Sequence, residues 1–302
     1  MGSKLKNYKY LIVGSNSFIG KNLHKQLSMI VNMDNIFCLS RTNGNNFNNF
    51  IQCDINNEIE LKDKLIEFKF DIIFYLIANA IPGRSMKDYM GAYKVNVNGL
   101  KNFLENINLL EIKHFIYFST SEIYGNKTFE ANESDLADPI STYSLTKAMA
   151  ENMINLYKNS YSLPITIVRP SLVYGSGQNE RFFMSQAITK LKSNEVFNMT
   201  YGEQTRDFIH VEDVCECVLE IIQQKKLIGE VVNISSNVEI GIKELVLILK
   251  RIINSNSEIN FGSIDYRNNE IMKYKIDNAK AKKSLNWIPK RNFEASLLKI
   301  VK

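Results

Sequence analysis

The chain has 302 residues, 45% of them hydrophobic, which is enough for one large core and a smaller dependent lobe. No apolar run approaches the roughly 18 residues that cross a bilayer, and the polar, lysine-bearing start lacks the apolar stretch of a secretory signal, so a cytoplasmic protein without membrane association is expected. The net charge of +5 is spread along the chain rather than gathered in blocks, which argues against a nucleic-acid footprint.

Tyr8–Val13 is a short apolar run ending in glycine, followed by a helical pattern from Phe18 to about Ile30. Asn35–Leu39 is the next strand, then an Asn-rich loop, then Phe50–Cys53 running into Asp54. Glu58–Phe68 is amphipathic, with Leu61, Leu65 and Phe68 on one face, and Asp71–Ile77 is a continuous apolar strand of the fully buried kind. A long helical region covers Lys87–Leu110. His114–Phe118 is a fifth strand, Ser144–Asn159 a helix, and Ile165–Val168 a sixth strand closed by Arg169-Pro170. Strand alternating with helix at these lengths predicts an α/β fold, a doubly wound parallel sheet with helices on both faces.

After Tyr174-Gly175 the rhythm changes to short elements. These are a helix near Arg181–Lys190, a strand at Arg206–His210, a helix over Val211–Gln224, a strand at Glu230–Ile234, a helix at Ile242–Ile253 and a polar tail with Trp287-Ile-Pro289. Residues 1–175 read as a dinucleotide-binding domain and 176–302 as a smaller α/β substrate lobe, with a soft boundary because the chain interleaves. The four cysteines, Cys38, Cys53, Cys215 and Cys217, form no C-x-x-C pair. Cys215 and Cys217 face different directions on a helix, so reduced, buried thiols and no metal site are expected.

Gly14-Ser-Asn-Ser-Phe-Ile-Gly20 joins the first strand to the first helix. Glycine lets the chain reverse tightly, and the helix N-terminus offers free N–H groups and a positive dipole end to a pyrophosphate. Ser17 replaces the usual middle glycine and is small enough to keep the close approach. Ser40-Arg41 closes the second strand where a carboxylate would bind the ribose hydroxyls of NAD; arginine there favours the 2′-phosphate of NADP(H), with NAD(H) the alternative. Arg41 as a solvated loop residue is the bland reading. Asp54-Ile55 follows the third strand, placed to meet the adenine edge, although Asp54 also suits a turn.

Tyr143-Ser-Leu-Thr-Lys147 puts a phenol and an ammonium four apart on one helical face. A nearby cation stabilises a phenolate and draws its pKa down, which suits tyrosine to acid/base work on an alcohol–ketone couple. Ser119-Thr-Ser-Glu-Ile-Tyr-Gly125 ends the fifth strand, and ligands in such folds lie outside the carboxyl ends of the strands. Thr120, Tyr143 and Lys147 thus form a hydroxyl–phenol–ammonium set.

With Asn96-Val-Asn-Gly99, Arg169-Pro-Ser-Leu-Val-Tyr-Gly175 and Arg206-Asp-Phe-Ile-His-Val211, these motifs resemble the extended short-chain dehydrogenases, the nucleotide-sugar epimerase/dehydratase family, over essentially the whole length. The Ser-Thr-Ser-Glu-x-Tyr-Gly string is similar to that of GDP-mannose 4,6-dehydratases and UDP-glucuronate decarboxylases. Gly202–Phe208 and Phe261–Met272 resemble CDP-abequose synthase and kindred 4-keto-sugar reductases. The resemblance implies a Rossmann domain and a nucleotide-diphosphate sugar as substrate. It gives Tyr143 the proton of the sugar C4 oxygen, Thr120 a hydrogen bond to that oxygen, and Lys147 the nicotinamide ribose. It places Gly14, Asn16, Ser17, Phe18, Ile19, Gly20, Leu76, Ile77, Ala78, Asn96 and Pro170 at the cofactor. Ser85, Ser121 and Glu122 would meet the sugar, Arg206 and Arg267 the diphosphate, and Glu270 the nucleotide ribose. A homodimer through a four-helix bundle of the Lys87–Leu110 and Ser144–Asn159 regions is also implied.

Leu172 stands where many members carry a substrate-contacting asparagine. With Arg41 and the reductase-like tail, it favours an NADPH-dependent 4-ketoreductase of an NDP-4-keto-deoxy sugar. Glu122, a base for the C5 proton, keeps open a 4,6-dehydratase or 4-epimerase that retains its cofactor. A net C4 dehydrogenase and a non-catalytic cofactor sensor or scaffold complete the alternatives.

Overall fold

Tyr10-Leu-Ile-Val13 has no polar position to offer solvent, so a strand made from it must be covered on both faces. The computed structural model, which describes residues 5–80 and 86–302, places it in the interior of a seven-stranded sheet. In chain order the first half runs β1 (Tyr10–Val13), α1 (Phe18–Ser28), β2 (Ile36–Ser40), β3 (Asn49–Gln52), α2 (Glu58–Leu65), β4 (Ile72–Tyr75), α3 (Tyr89–Tyr93), α4 (Gly99–Glu105), β5 (His114–Phe118), α5 (Thr142–Tyr161) and β6 (Ile165–Pro170). The second half adds β7 (Leu172–Tyr174), α6 (Phe183–Lys192), β8 (Phe197–Met199), β9 (Thr205–His210), α7 (Val211–Gln224), β10 (Val231–Ile234), β11 (Glu239–Gly241), α8 (Ile242–Ile253), β12 (Ile259–Phe261), α9 (Ala279–Leu285) and α10 (Phe293–Val301).

The sheet order is β10-β6-β5-β4-β1-β2-β3 and every pairing is parallel, a doubly wound Rossmann arrangement. Alternate side chains of β1 feed two cores. Tyr10 and Ile12 pack with Leu23, Leu27, Val214 and Val218 under α1 and α7, while Leu11 and Val13 pack with Leu61, Leu100, Phe103 and Ile154 under α2, α4 and α5. Each such aliphatic side chain contributes about 1.5–3 kcal/mol on burial, so the sheet is a firm base for whatever its strand ends carry.

Two features differ from the sequence expectation. The Lys87–Leu110 region is not one helix: α3 and α4 flank a π-helical turn at Lys94–Asn98. The polar tail contains α9 and α10, and Trp287 is buried against the α1–α7 core. β10, from beyond residue 175, is the strand that covers β6. The rest of the second half forms a smaller α/β region, in which a β11-β9-β7 sheet and a β12-β8 pair pack with α6, α8 and α10 around Met184, Leu191, Phe208, Leu245 and Leu249. No helix among the described residues is long and apolar enough to cross a membrane.

Candidate active site

β1 and β4 are neighbours from which the chain winds in opposite directions, so a crevice opens at their carboxyl ends. Gly14 lines it with φ +92°, and a Cβ there would stand 3.0 Å from Ile77 Cγ1. Gly20 sits so close beneath the turn that its Cβ would fall 2.5 Å from the Gly14 carbonyl. Ser17 does more than fit: its hydroxyl caps α1, accepting from the Gly20 amide at 3.0 Å. The amides of Phe18 and Ile19, in the first turn, have no intrahelical acceptor and are available to an anion. Leu76 N donates to Val13 O at 2.9 Å, which holds Leu76-Ile77-Ala78 along the same crevice. A cradle that a Cβ would fill, beside free helix amides, fits the pyrophosphate of a dinucleotide.

The loop after β2 folds back over this turn. Ser40 Oγ donates to Thr42 O at 2.9 Å, Asn16 bonds the Thr42 carbonyl, and Asn45 Nδ2 donates to Asn16 Oδ1 at 2.9 Å. Arg41 is exposed and has no ion-pair partner among the described residues. Asp54 is half-buried in an Asx turn, its Oδ1 accepting from Asn56 N at 2.9 Å and Asn56 Nδ2 at 3.0 Å. Ile55 is buried against α4, where Gly99 permits the contact; a Cβ on Gly99 would be 2.3 Å from Ile55 Cδ1.

The candidate reactive groups converge at the end of β5. Thr120 caps a 3-10 turn, Ser121–Tyr124, accepting from Glu122 N at 3.2 Å, and hydrogen-bonds the half-buried Tyr143 phenol. α5 begins with a reciprocal cap, Ser144 N donating to Ser141 Oγ at 3.0 Å and Ser141 N to Ser144 Oγ at 3.1 Å. Ser141 Oγ also donates to Glu122 Oε1, so one serine ties the helix start to the carboxylate facing Tyr143. Lys147 is buried, its Nζ donating to the Phe118 carbonyl and lying 4.2 Å from the centre of the Tyr117 ring. Burial pushes the Lys147 ammonium down to about 7, against which the Glu151 carboxylate works. Burial raises the Tyr143 phenol above its ordinary value; Glu122 adds to the rise and the Thr120 hydrogen bond opposes it. The sequence expectation was of a phenol drawn down by Lys147. The difference arises chiefly from burial of the phenol, and secondly because the ammonium is directed at a carbonyl and a ring face while the charge bearing on the phenol is a carboxylate.

Other candidates have structural partners. The Ser121 hydroxyl is fully buried, donating to Pro170 O at 2.9 Å and lying 2.6 Å from the Tyr274 hydroxyl, so it locks the turn to β6 and to the C-terminal segment. Asn96, in the π-helical turn, accepts from Asn79 N at 2.6 Å and donates to Thr146 Oγ1 at 2.9 Å. Arg206 donates to Ile271 O at 2.6 Å and pairs with Glu270, so two expected substrate contacts hold each other. Arg267 is exposed and its carbonyl accepts from Glu270 N at 3.0 Å. Asp207 is buried, with no ion-pair partner among the described residues; Ser171, Ser236 and Asn237 donate to it, and burial pushes its carboxyl up to about 6. Leu172, at the start of β7, packs partly buried between two apolar clusters. Ser85 lies outside the described residues. No cluster of metal-binding side chains occurs among the described residues.

Sequence reading missed Ser141, Asn79, Thr146 and Tyr274. The Ser141-x-x-Ser144 spacing is a capping signature that would have found the first; the others are joined only by the fold.

Residues 10–235 match the NAD dependent epimerase/dehydratase family, and the chain belongs to that family. It is an NAD(P)-dependent enzyme of the nucleotide-sugar type. It is 30% identical to the human dTDP-D-glucose 4,6-dehydratase over 97% of this chain and 89% of that protein. Its fold superposes on the UDP-glucose 4-epimerase of Thermotoga maritima, solved with UDP-glucose, with a TM-score of 0.88 and 25% identity over 97% of each chain. It also superposes on a UDP-glucuronic acid 4-epimerase of Bacillus cereus in complex with NAD, with a TM-score of 0.84 and 26% identity over 97% and 96% of the two chains.

Two expectations are corrected by these findings. The 4-ketoreductase reading gives way, because the relatives named by an activity include dTDP-D-glucose 4,6-dehydratases and UDP-sugar 4-epimerases. The NADP(H) expectation is not supported, because several solved relatives, the Bacillus cereus epimerase among them, are in complex with NAD. The physical reason is visible at Arg41: the loop is folded by Ser40, Asn16 and Asn45, and the guanidinium stands in solvent. Arginine after β2 was a poor signal because its long side chain has no fixed place there.

Proposed function

We propose that the protein is a nucleotide-sugar 4,6-dehydratase that retains NAD, with the Glu122 carboxylate held beside Tyr143 as the observation that carries the reading. The chemistry supplied by bound NAD is the reversible acceptance of one hydride at the sugar C4. Gly14, Ser17, Phe18, Ile19 and Gly20 would hold its pyrophosphate, Leu76, Ile77 and Ala78 would line its path, and Lys147 would bind its nicotinamide ribose. Tyr143 takes the O4 proton as C4 becomes a ketone, and Thr120 keeps the phenol and O4 in line. The ketone acidifies C5–H, and Glu122 removes that proton. Glu122 then passes it to the departing C6 hydroxyl, which leaves as water. Tyr143 protonates C5 as the hydride arrives at C6. Arg206 and Arg267 serve the diphosphate once Arg206 exchanges Glu270 for it, a switch that suits a guanidinium fork.

The likeness of Gly202–Phe208 and Phe261–Met272 to CDP-abequose synthase is read as a likeness of the nucleotide-binding lobe, not of the reaction. We also infer a homodimer, because Met90 and Leu156 on α3 and α5 are 67% and 65% exposed.

A 4-epimerase is the second reading, favoured by the Thr120–Tyr143 contact, since removing and returning a hydride at C4 needs only that pair and no carboxylate. One experiment separates the two. The NAD-loaded protein is incubated in D2O with dTDP-glucose and UDP-glucose, and the products are examined by NMR. A 4-keto-6-deoxy sugar with deuterium at C5 supports the dehydratase. A C4 epimer without deuterium supports the epimerase and removes Glu122 from the mechanism. Recovery of both substrates unchanged and unlabelled overturns both.

A further inference from the structure

Glu151 lies one turn beyond Lys147, so Tyr143, Lys147 and Glu151 fall at i, i+4 and i+8 along one face of α5. Its carboxylate accepts from Arg169 Nε at 3.0 Å and Nη2 at 2.6 Å, with both side chains less than a tenth exposed. Arg169 Nη1 donates to the Tyr124 hydroxyl at 2.8 Å, which donates to Asn233 Oδ1 at 2.7 Å. The chain of bonds thereby joins α5, β6, the Ser121–Tyr124 turn and β10.

A buried ion pair is a weak source of stability, because desolvating two charges offsets their attraction and an apolar pair of similar volume would fill the core as well. Its place one turn beyond Lys147 points to the neighbour. The groups facing Lys147 are Tyr143 and Glu151 on its own helix and the Tyr117 ring and Phe118 carbonyl on β5; Arg169 on β6 reaches it through Glu151, and Glu122 faces Tyr143. Among them Glu151 is the anion that favours the ammonium.

We propose that Glu151 is a positioning residue that keeps the buried Lys147 charged, and that the two-point contact from Arg169 holds the Glu151 carboxylate aimed for that task. Its bearing on turnover rests on the catalytic reading of Tyr143 and Lys147 given above, whereas the charge state itself is measurable without substrate.

The test is a titration of the NAD-loaded protein labelled with 13C at the lysine ε-carbons, the Lys147 signal being assigned by its loss in Lys147→Arg. In Glu151→Gln the Lys147 midpoint falls by about one pH unit or more, and in Glu151→Asp, which keeps the charge, by less than about half a unit. The double variant Glu151→Gln, Arg169→Gln removes the stranded guanidinium as well and shows a smaller fall in the same direction, so the result does not depend on the single variant folding. In turnover, losing the ammonium at lower pH moves the alkaline limb of kcat to lower pH by the same interval. An unmoved Lys147 midpoint in either Gln variant overturns the proposal. So does failure of all three Glu151 variants to fold, which assigns the pair to stability alone. A shifted midpoint with no turnover of any sugar nucleotide leaves this inference standing and overturns the functional reading instead.

Discussion

Asn96 and Thr146 are 50 positions apart in the chain and 2.9 Å apart in space, Nδ2 of one donating to Oγ1 of the other. Because Asn96 Oδ1 accepts the Asn79 amide, one buried side chain pins the segment after β4 to the helix turn that carries Tyr143 and Lys147. Asn96→Ala leaves that amide without its acceptor, a loss of about 1–3 kcal/mol. The melting temperature, read by calorimetry, is expected to fall by several degrees, and NAD affinity with it. A variant that melts with the wild type would show the contact to be dispensable.

Tyr143→Phe removes the hydroxyl and keeps the ring. The fold should survive, since the packing is unchanged, while turnover falls by about 10²-fold or more. Circular dichroism alongside steady-state rates makes the comparison, and near-wild-type turnover removes Tyr143 from the proton path.

Glu122→Gln separates oxidation from elimination. The amide still accepts from Ser141, but it cannot take the C5 proton, so dehydration should slow by about 10²-fold or more. Oxidation at C4 needs only Tyr143 and Thr120, so reduced cofactor should accumulate on the protein and be seen by its absorbance. Wild-type dehydration without that accumulation would place the base elsewhere.

Arg41→Ala tests the corrected cofactor assignment. An exposed guanidinium without an ion-pair partner contributes little, so NAD binding by calorimetry should change by less than about twofold. A tenfold loss would mean that the side chain reaches the adenosine after all.

Leu156→Glu tests the inferred dimer. Placing a charge on an exposed leucine of α5 should leave the monomer fold intact and halve the mass seen by light scattering. A wild-type protein that is already monomeric at micromolar concentration overturns the dimer directly.

Strands and helices whose pattern depended on continuous or periodic apolar residues were legible: α7 and α8 begin and end at the residues the sequence suggested. What escaped was held together by few contacts. α9 carries lysines around only two anchors, Ala281 and Leu285, and α10 is anchored by Leu297, so both read as polar tail. The π-helical turn keeps the apolar content of a helix while changing its period, which no count of apolar positions resolves. At the site, Thr120, Tyr143 and Lys147 were readable because strand end and helix start bring them together locally. Arg206 with Glu270 was not, since whether two residues 64 apart bind a ligand or each other is decided by tertiary packing.

β10 hydrogen-bonds along β6 although the whole α6–α7 region intervenes in the chain. During synthesis, then, the edge of β6 stays unsealed until residue 234 has left the ribosome, and a nascent chain ending near residue 175 presents that bare edge to its neighbours. The same geometry bears on chimeras. Exchanging residues 176–302 for those of a relative would replace not only a recognition surface but a stave of the nucleotide-binding sheet itself, so crossover points belong on either side of Val231–Ile234 rather than at the apparent seam.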